Sequence, residues 1–330
     1  MKRPSLSPFA PRKSARLDPT WILLAALIGC LGIPRNSIAQ DPPITALAFD
    51  PTETKLIAGS QAGVKCYGWP NLKPGKTIAT ELKQVHDLAF SPDGKTLAIA
   101  GGTPGEEGTV ELWNWPDADK PRSYSVHSDV IYQVVWSADS SSLFTASHDA
   151  TITWVVAKTG RVVKEFSGHS QPANAIGLLA EDKVLVSAGS DQTIRVWDAA
   201  TGELLRSFNN HTAAVRDLAV RPAGDSKAVP MVASIARDKT LRLWQPTIGR
   251  MVRFKRFSSE PLSLAWSPDG ESLFLTQDDG GLVEVDPNTL ETTTTRKTNV
   301  DRPISLTLTK DGKTAAIGGS RGGIRVVELK

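Results

Sequence analysis

From residue 44 onward, apolar and polar residues alternate in short runs, and turns rich in Gly, Asp and Pro separate the runs. Between residues 85 and 113, for example, VHDLAF, TLAIAGG and TVELW follow one another in this way. A period of two residues predicts β-strands that bury one face, and no stretch keeps the 3.6-residue period of a helix. The pattern therefore predicts an all-β fold of short strands.

The strand pattern repeats along the chain. HSQPANAIGL…LVSAGSDQTIRVWD, which begins at His169, aligns with HTAAVRDLAV…VASIARDKTLRLW, which begins at His211. Repeats of about 40 to 45 residues, each made of short strands, predict a β-propeller with four-stranded blades. The last core position of the third strand recurs seven times, at Tyr67, Trp113, Val155, Trp197, Trp244, Val285 and Val327. We therefore expect seven blades.

From about Ile44 to Lys330 these repeats resemble the WD-repeat family of β-propellers. In that family a His, a Ser or Thr, an Asp and a Trp form a hydrogen-bonded set that ties each blade together. The resemblance implies two complete sets, His169, Ser187, Asp191 and Trp197 in blade 4, and His211, Ser234, Asp238 and Trp244 in blade 5. A third set, which begins His127, Thr145 and Asp149, departs at its fourth member. Because Trp154 precedes the core position by one residue, it should point to the opposite face from Val155.

Residues 1–39 have a different composition and predict a secretory signal peptide. A basic start precedes an apolar run from Trp21 to Ile33, which is too short to span a membrane, and the small residues Ser37 and Ala39 follow it. Cleavage after Ala39 would leave one propeller, residues 40–330. An alternative is that residues 27–30 (LIGC) act as a lipobox, with processing before Cys30 and a lipid anchor on that cysteine. Both readings predict export, to the periplasm or the medium, with or without a membrane tether.

Net charge argues against a nucleic-acid partner once the chain is divided. The whole chain carries a formal charge of +3. Six Lys and Arg residues and one Asp in residues 1–39 give +5 there, which leaves −2 for the rest. A faintly acidic propeller has no excess of cations for a phosphate backbone.

No motif predicts a catalytic, cofactor or metal site. His127, His169 and His211 are 42 residues apart, so they occupy equivalent places on different blades and do not converge on one ion. Residues 318–322 (GGSRG) match the pattern of a nucleophile elbow, but they lie in a strand-to-strand turn. An enzyme or small-ligand sensor that uses the central channel remains the alternative, because residues of several blades can meet there.

The favoured function is a non-catalytic, monomeric scaffold that binds partner proteins. In WD-repeat propellers the top face, where the turns between second and third strands lie, is used most. The resemblance places two groups of side chains there, His86, Tyr132, Asn174 and Arg216 on the first strands, and His148 and Arg237 in the turns. Arg and aromatic residues are enriched where proteins bind proteins.

The last blade raises a question of closure. Its third strand ends at the last residue, so a fourth strand would have to come from before Ile44. Cleavage after Ala39 would leave only residues 40–43, which include two prolines that cannot donate hydrogen bonds. Three outcomes are open, namely a three-stranded blade, processing before Cys30, or a retained leader.

Overall fold

A computed structural model describes residues 41–222 and 229–329. Within these ranges the regular elements are 27 β-strands, which form seven antiparallel sheets. The predictions of an all-β fold and a seven-bladed β-propeller are confirmed. The predicted signal peptide, its cleavage site and Cys30 lie outside the described residues.

The strands of blades 1 to 4 follow in chain order, four to each sheet. They are β1 (Ile44–Phe49), β2 (Lys55–Ser60), β3 (Gly63–Gly68), β4 (Lys73–Ile78), β5 (Gln84–Phe90), β6 (Thr96–Thr103), β7 (Glu107–Asn114), β8 (Pro121–His127), β9 (Ile131–Trp136), β10 (Ser142–Ser147), β11 (Thr151–Val156), β12 (Val162–Ser167), β13 (Ala173–Leu179), β14 (Val184–Gly189), β15 (Ile194–Asp198) and β16 (Leu204–Phe208).

Blades 5 and 6 repeat this order, and blade 7 has three strands in the described part of the chain. The strands are β17 (Val215–Val220), β18 (Val232–Ala236), β19 (Thr240–Gln245), β20 (Arg250–Arg256), β21 (Pro261–Trp266), β22 (Leu273–Gln277), β23 (Gly281–Val285), β24 (Thr292–Lys297), β25 (Pro303–Leu308), β26 (Thr314–Gly319) and β27 (Ile324–Glu328).

The first strands of the blades form the inner wall of the ring. Each lies beside the first strands of the two adjacent blades, and β1 contacts both β5 and β25, so the ring closes. At the closure Ser305 Oγ donates to the carbonyl of Ile44 at 2.8 Å, and Lys310 Nζ donates to the carbonyl of Pro51 at 2.6 Å. Apolar clusters lie between successive blades from blade 1 to blade 7, so each blade buries its faces against its neighbours.

Burial falls from the middle of each blade to its outer strand. Every residue of β10, a second strand, is buried, whereas four of the five residues of β16, an outer strand, are exposed. A second strand is covered on both faces, which explains why these strands consist of small and apolar residues without a polar face. The outer strands have an open edge and carry the charged residues.

A long cation on most outer strands reaches the next blade. In each case the side chain donates to a backbone carbonyl in or near the turn after the third strand of that blade. The five pairs are Lys76 with Asp117 at 2.6 Å, Arg122 with Ala157 at 3.0 Å, Lys164 with Thr201 at 2.9 Å, Lys255 with Leu290 at 2.8 Å, and Arg296 with Leu329 at 2.7 Å. These bonds link the blades at their outer ends, far from the inner wall.

Blade 7 differs from the others at its outer edge. Its third strand β27 carries no fourth strand among the described residues, and three of its five residues are exposed, including Val326. The third strand of blade 5, β19, is by contrast buried at five of six positions. Which of the three outcomes for closure applies depends on residues 1–40, which lie outside the described part of the chain.

Candidate functional site

A β-bulge in the first strand sets the four top-face positions. In blades 2 to 5 the ladder between first and second strand skips one residue, which is His86, Tyr132, Asn174 or Arg216. A bulge inserts an unpaired residue and turns its side chain away from the regular ladder direction. In each of these blades the repeat therefore places one unpaired residue, whose side chain leaves the regular ladder direction, at the equivalent position of the first strand.

Three of the predicted top-face residues come together across blades 2 and 3. The ring of Tyr132 packs edge-to-face against His86, with centroids 5.1 Å apart, and against His148, with centroids 5.8 Å apart. His148 Nδ1 lies 2.9 Å from the Asp129 carboxylate, which also accepts the amide of Gly105 at 3.0 Å. The structure thus forms a continuous aromatic patch, His86, Tyr132 and His148, and Asp129 links His148 to Gly105 in the turn between β6 and β7.

Asn174 and Arg216 make contacts within the ring. Asn174 Nδ2 donates to the carbonyl of Val215 in blade 5 at 2.6 Å, and it also bonds the hydroxyl of Ser190. Arg216 Nε donates to the carboxylate of Glu260 in blade 6. These two side chains therefore help to join adjacent blades, and they have less capacity left for an outside partner.

Arg237 is the remaining top-face residue. It is exposed, and its side chain makes no hydrogen bond or ion pair with another described residue. Only its backbone amide is bonded, to the carbonyl of Ala214 at 3.0 Å. Arg237 therefore offers an uncommitted guanidinium at the top of blade 5.

The residues of the two complete sets bond one another in the interior of blades 4 and 5. In blade 5 His211 Nδ1 lies 3.0 Å from the Asp238 carboxylate, and His211 Nε2 lies 2.8 Å from Ser234 Oγ. Trp244 Nε1 donates to the same hydroxyl at 2.8 Å. Blade 4 repeats this arrangement through His169, Asp191, Ser187 and Trp197, with corresponding distances of 3.0, 2.8 and 2.9 Å.

Burial and hydrogen bonding act in opposite directions on the acids of these sets. Burial by itself would raise the pKa of Asp191, but the hydrogen bond and charge of His169 outweigh it and hold that pKa well below its usual range. The same balance lowers the pKa of Asp238 beside His211. These carboxylates are therefore ionised acceptors that brace the blades.

The third set uses a different fourth member. His127 Nδ1 lies 3.0 Å from Asp149, and Nε2 lies 2.8 Å from Thr145 Oγ1, which in turn bonds Thr153 Oγ1 at 2.7 Å. Val155 is fully buried against blade 2, whereas Trp154 packs with Phe144 on the face towards blade 4. The Thr153 hydroxyl thus bonds Thr145 in blade 3, as the indole N–H bonds the serine hydroxyl in each complete set.

Two carboxylates on the inner wall have no counterpart among the predicted site residues. Asp87 accepts the amide of Val134 in blade 3 at 2.9 Å, and Asp217 accepts the amide of Leu264 in blade 6 at 2.9 Å. Although each residue is only partly buried as a whole, burial of its carboxyl raises the pKa of Asp87 to about 7 and that of Asp217 to about 6. The signal in the sequence is an Asp directly after the bulged residue, as in VHDLAF and VRDLAV.

Two further findings concern the chemistry of the described residues. In residues 41–222 and 229–329, no group of three or more His, Cys, Asp and Glu side chains is placed to hold a metal ion. The same ranges contain no helix of the length and apolar character that crossing a membrane requires.

Comparisons with known proteins identify the repeat. The family model described as "WD domain, G-beta repeat" matches residues 73–114, 119–154, 160–198 and 202–245. WD repeat-containing protein VIP3 of Arabidopsis thaliana is 27% identical over 162 residues, which cover 44% of this chain and 49% of that protein. WD repeat-containing protein 1 of Xenopus tropicalis is 34% identical over 113 residues, 33% of this chain and 18% of that protein.

A longer similarity links the chain to protein HIR1 of Chaetomium globosum, which is 22% identical over 255 residues, 76% of this chain and 23% of that protein. The chain thus spans about half or less of the length of these relatives.

Proposed function

Because the chain belongs to the WD-repeat family of β-propellers, we propose that it is an exported, non-catalytic platform that binds partner proteins on its top face. The partners are proteins, and the face that binds them includes His86, Tyr132, His148 and Arg237. Asn174 and Arg216 stabilise the same face by joining adjacent blades. The repeated blades supply rigidity, and the bulged first strands supply side chains that differ from blade to blade.

The observation that carries the proposal is the aromatic patch on blades 2 and 3. Tyr132 lies between two imidazole rings, and its hydroxyl has no hydrogen-bond partner among the described residues. A half-buried tyrosine with a free hydroxyl gives a partner apolar contact area together with a hydrogen bond, at little cost in side-chain entropy. Such residues are frequent among those that contribute most to protein–protein affinity.

Affinity capture with the purified full chain tests the site. Proteins captured from the compartment that holds the chain are compared for the wild type, for Tyr132→Ala/Arg237→Ala, and for a control, Arg161→Ala, in the turn after the third strand of blade 3. We expect the double variant to lose partners that the control retains, while circular dichroism shows that both variants are folded. Identical capture by all three proteins would overturn the proposed site. Arg216→Ala is kept separate, since it also breaks the bond to Glu260.

Export is proposed from the pattern of residues 1–39 and has its own test. N-terminal sequencing and mass analysis of the chain from its native host should give a mature protein that starts at Gln40, or at a lipid-modified Cys30. A chain that starts at its initiator methionine in the cytoplasm would contradict the proposal.

A further inference from the structure

Positive charge is concentrated on blade 5 of a propeller that is faintly acidic as a whole. Residues 229–257 contain seven Lys and Arg side chains and one acid, Asp238, which is bonded to His211. Four of the seven cations, Arg250, Arg253, Lys255 and Arg256, lie on the outer strand β20. No other outer strand in the described residues carries more than two cations.

The roles of cations on the other outer strands do not account for this excess. Lys255 makes the bond to the next blade, and Arg250 Nε donates to Gln245 at 2.7 Å. The side chains of Arg253 and Arg256 form no hydrogen bond or ion pair with any described residue. A cation on an exposed edge does hinder pairing with a neutral strand, but other outer strands achieve this with one or two.

The surplus cations flank an exposed aromatic residue on a free strand edge. No described strand pairs with the outer side of β20, and Phe254 is 56% exposed, the highest value among the large apolar residues described. Phe254 lies opposite Arg242, whose guanidinium is 5.2 Å from its ring. Apolar and cationic groups therefore lie side by side along one edge.

The alternation of the strand sends these side chains to both sides of β20. Lys255 reaches Leu290 in blade 6, so Arg253, two residues away, faces the same side. Phe254 and Arg256 face the opposite side, towards blade 4, where Trp244 of the neighbouring strand contacts Phe208. A flat membrane surface cannot meet both sides at once, and the charge of −2 on residues 40–330 as a whole disfavours a nucleic-acid partner. A strand laid along the edge meets all of them.

We propose that the free edge of β20 binds an acidic, extended segment of a partner protein, which adds to blade 5 as a fifth, antiparallel strand. Strand addition pairs the open N–H and C=O groups of the edge, and alternate side chains of the added strand supply the specificity. Acidic residues lie across from Arg253 and Arg256, where opposite charges on neighbouring strands attract, and an apolar residue lies across from Phe254. This docking edge is distinct from the top face and does not depend on it.

The test measures binding of a fluorescein-labelled peptide, as long as β20, to the full chain by fluorescence anisotropy. This Glu peptide has Val across from Phe254 and Glu across from Arg253, Lys255 and Arg256. We expect saturable binding that Arg253→Glu/Arg256→Glu weakens by about tenfold or more. The control Lys73→Glu/Lys297→Glu makes the same change of net charge on two other outer strands and should bind as the wild type does. Circular dichroism establishes that each variant is folded, and Arg253→Gln/Arg256→Gln replaces the charge reversal if that variant is not.

Two more peptides separate strand addition from general electrostatic attraction. The same peptide with Lys in place of each Glu should not bind, and N-methylation of the Glu peptide at the residues whose amides face β20 should abolish binding, because it removes the donors of the ladder. Equal binding of the N-methylated peptide, or equal loss in the control variant, would overturn the proposal. It is also overturned if the chain ignores the Glu peptide and instead binds phosphatidylserine vesicles or single-stranded DNA through Arg253 and Arg256. Tyr132→Ala/Arg237→Ala should bind the Glu peptide normally, so failure of this proposal and failure of the top-face site are distinguishable.

Discussion

The hydroxyl of Ser234 forms hydrogen bonds with two buried side chains, His211 and Trp244, so its removal should greatly lower the free energy of unfolding. Ser234 and Trp244 are fully buried, and His211 is 3% exposed. The Ser234→Ala substitution removes the bonds to His211 Nε2 and Trp244 Nε1, both 2.8 Å long. Each of the two groups left buried without a partner costs about 1–3 kcal/mol, so we expect a loss of about 2–6 kcal/mol in the free energy of unfolding.

Urea denaturation followed by tryptophan fluorescence measures this loss. At about 2 °C per kcal/mol for a chain of this size, the melting temperature should fall by about 4–12 °C. The matched control is Ser207→Ala, because that hydroxyl is exposed and bonds only Asn209, at 3.1 Å. The control should change stability by no more than about 0.5 kcal/mol.

A double-mutant cycle examines the cause. Trp244→Phe removes the indole donor that Ser234→Ala leaves unpaired, so the double variant should be more stable than the sum of the single effects implies, by about 1 kcal/mol or more. Additive effects, together with a loss below about 1 kcal/mol for Ser234→Ala, would refute the claim that these bonds tie blade 5 together.

Two further predictions concern pH and the last blade. The lowered pKa values of Asp149, Asp191 and Asp238 give stability that is present above about pH 4 and is lost as the pH falls. The raised pKa values of Asp87 and Asp217 give stability that is present below about pH 4 and is lost as the pH rises through about 6 to 7. Urea midpoints should therefore be highest near about pH 4, and Asp87→Asn/Asp217→Asn should flatten only the decline at higher pH; an unchanged decline would exclude these two acids as its cause. If the mature chain starts at Gln40, the amides of residues 323–329 should exchange quickly with solvent, and strong protection there would contradict a weakly closed blade 7.

Much of the fold could be predicted because strand formation and blade count depend on local patterns. A two-residue period identifies strands, and a repeat of 41 to 47 residues identifies blades, even where the Trp at the end of the third strand is replaced. The same rule accounts for Trp154, since a shift of one residue in a strand moves the side chain to the opposite face. Both inferences use only the order and spacing of residues along the chain.

The candidate site could be predicted only in part. The repeat frame locates His86, Tyr132 and Asn174 at equivalent places, but it does not tell which of them is free. Tyr132 packs between two imidazoles with its hydroxyl unpaired, whereas Asn174 is used to bond the next blade. These roles depend on the side chains that the adjacent blade presents, about 40 residues away, and a single repeat carries no information about them.

The sequence by itself determined the strands, the seven blades and the sign of the total charge, because these follow from periodicity and composition. Only the tertiary structure decided how the blades join, how the inner-wall carboxylates are buried, and where the charge is exposed. Packing of blade 2 against blade 3 brings Asp87 to Val134, and the sheet of blade 5 leaves Arg253 and Arg256 on a free edge. Both results arise from packing between blades, and packing is a property of the assembled ring that no segment of the chain possesses alone.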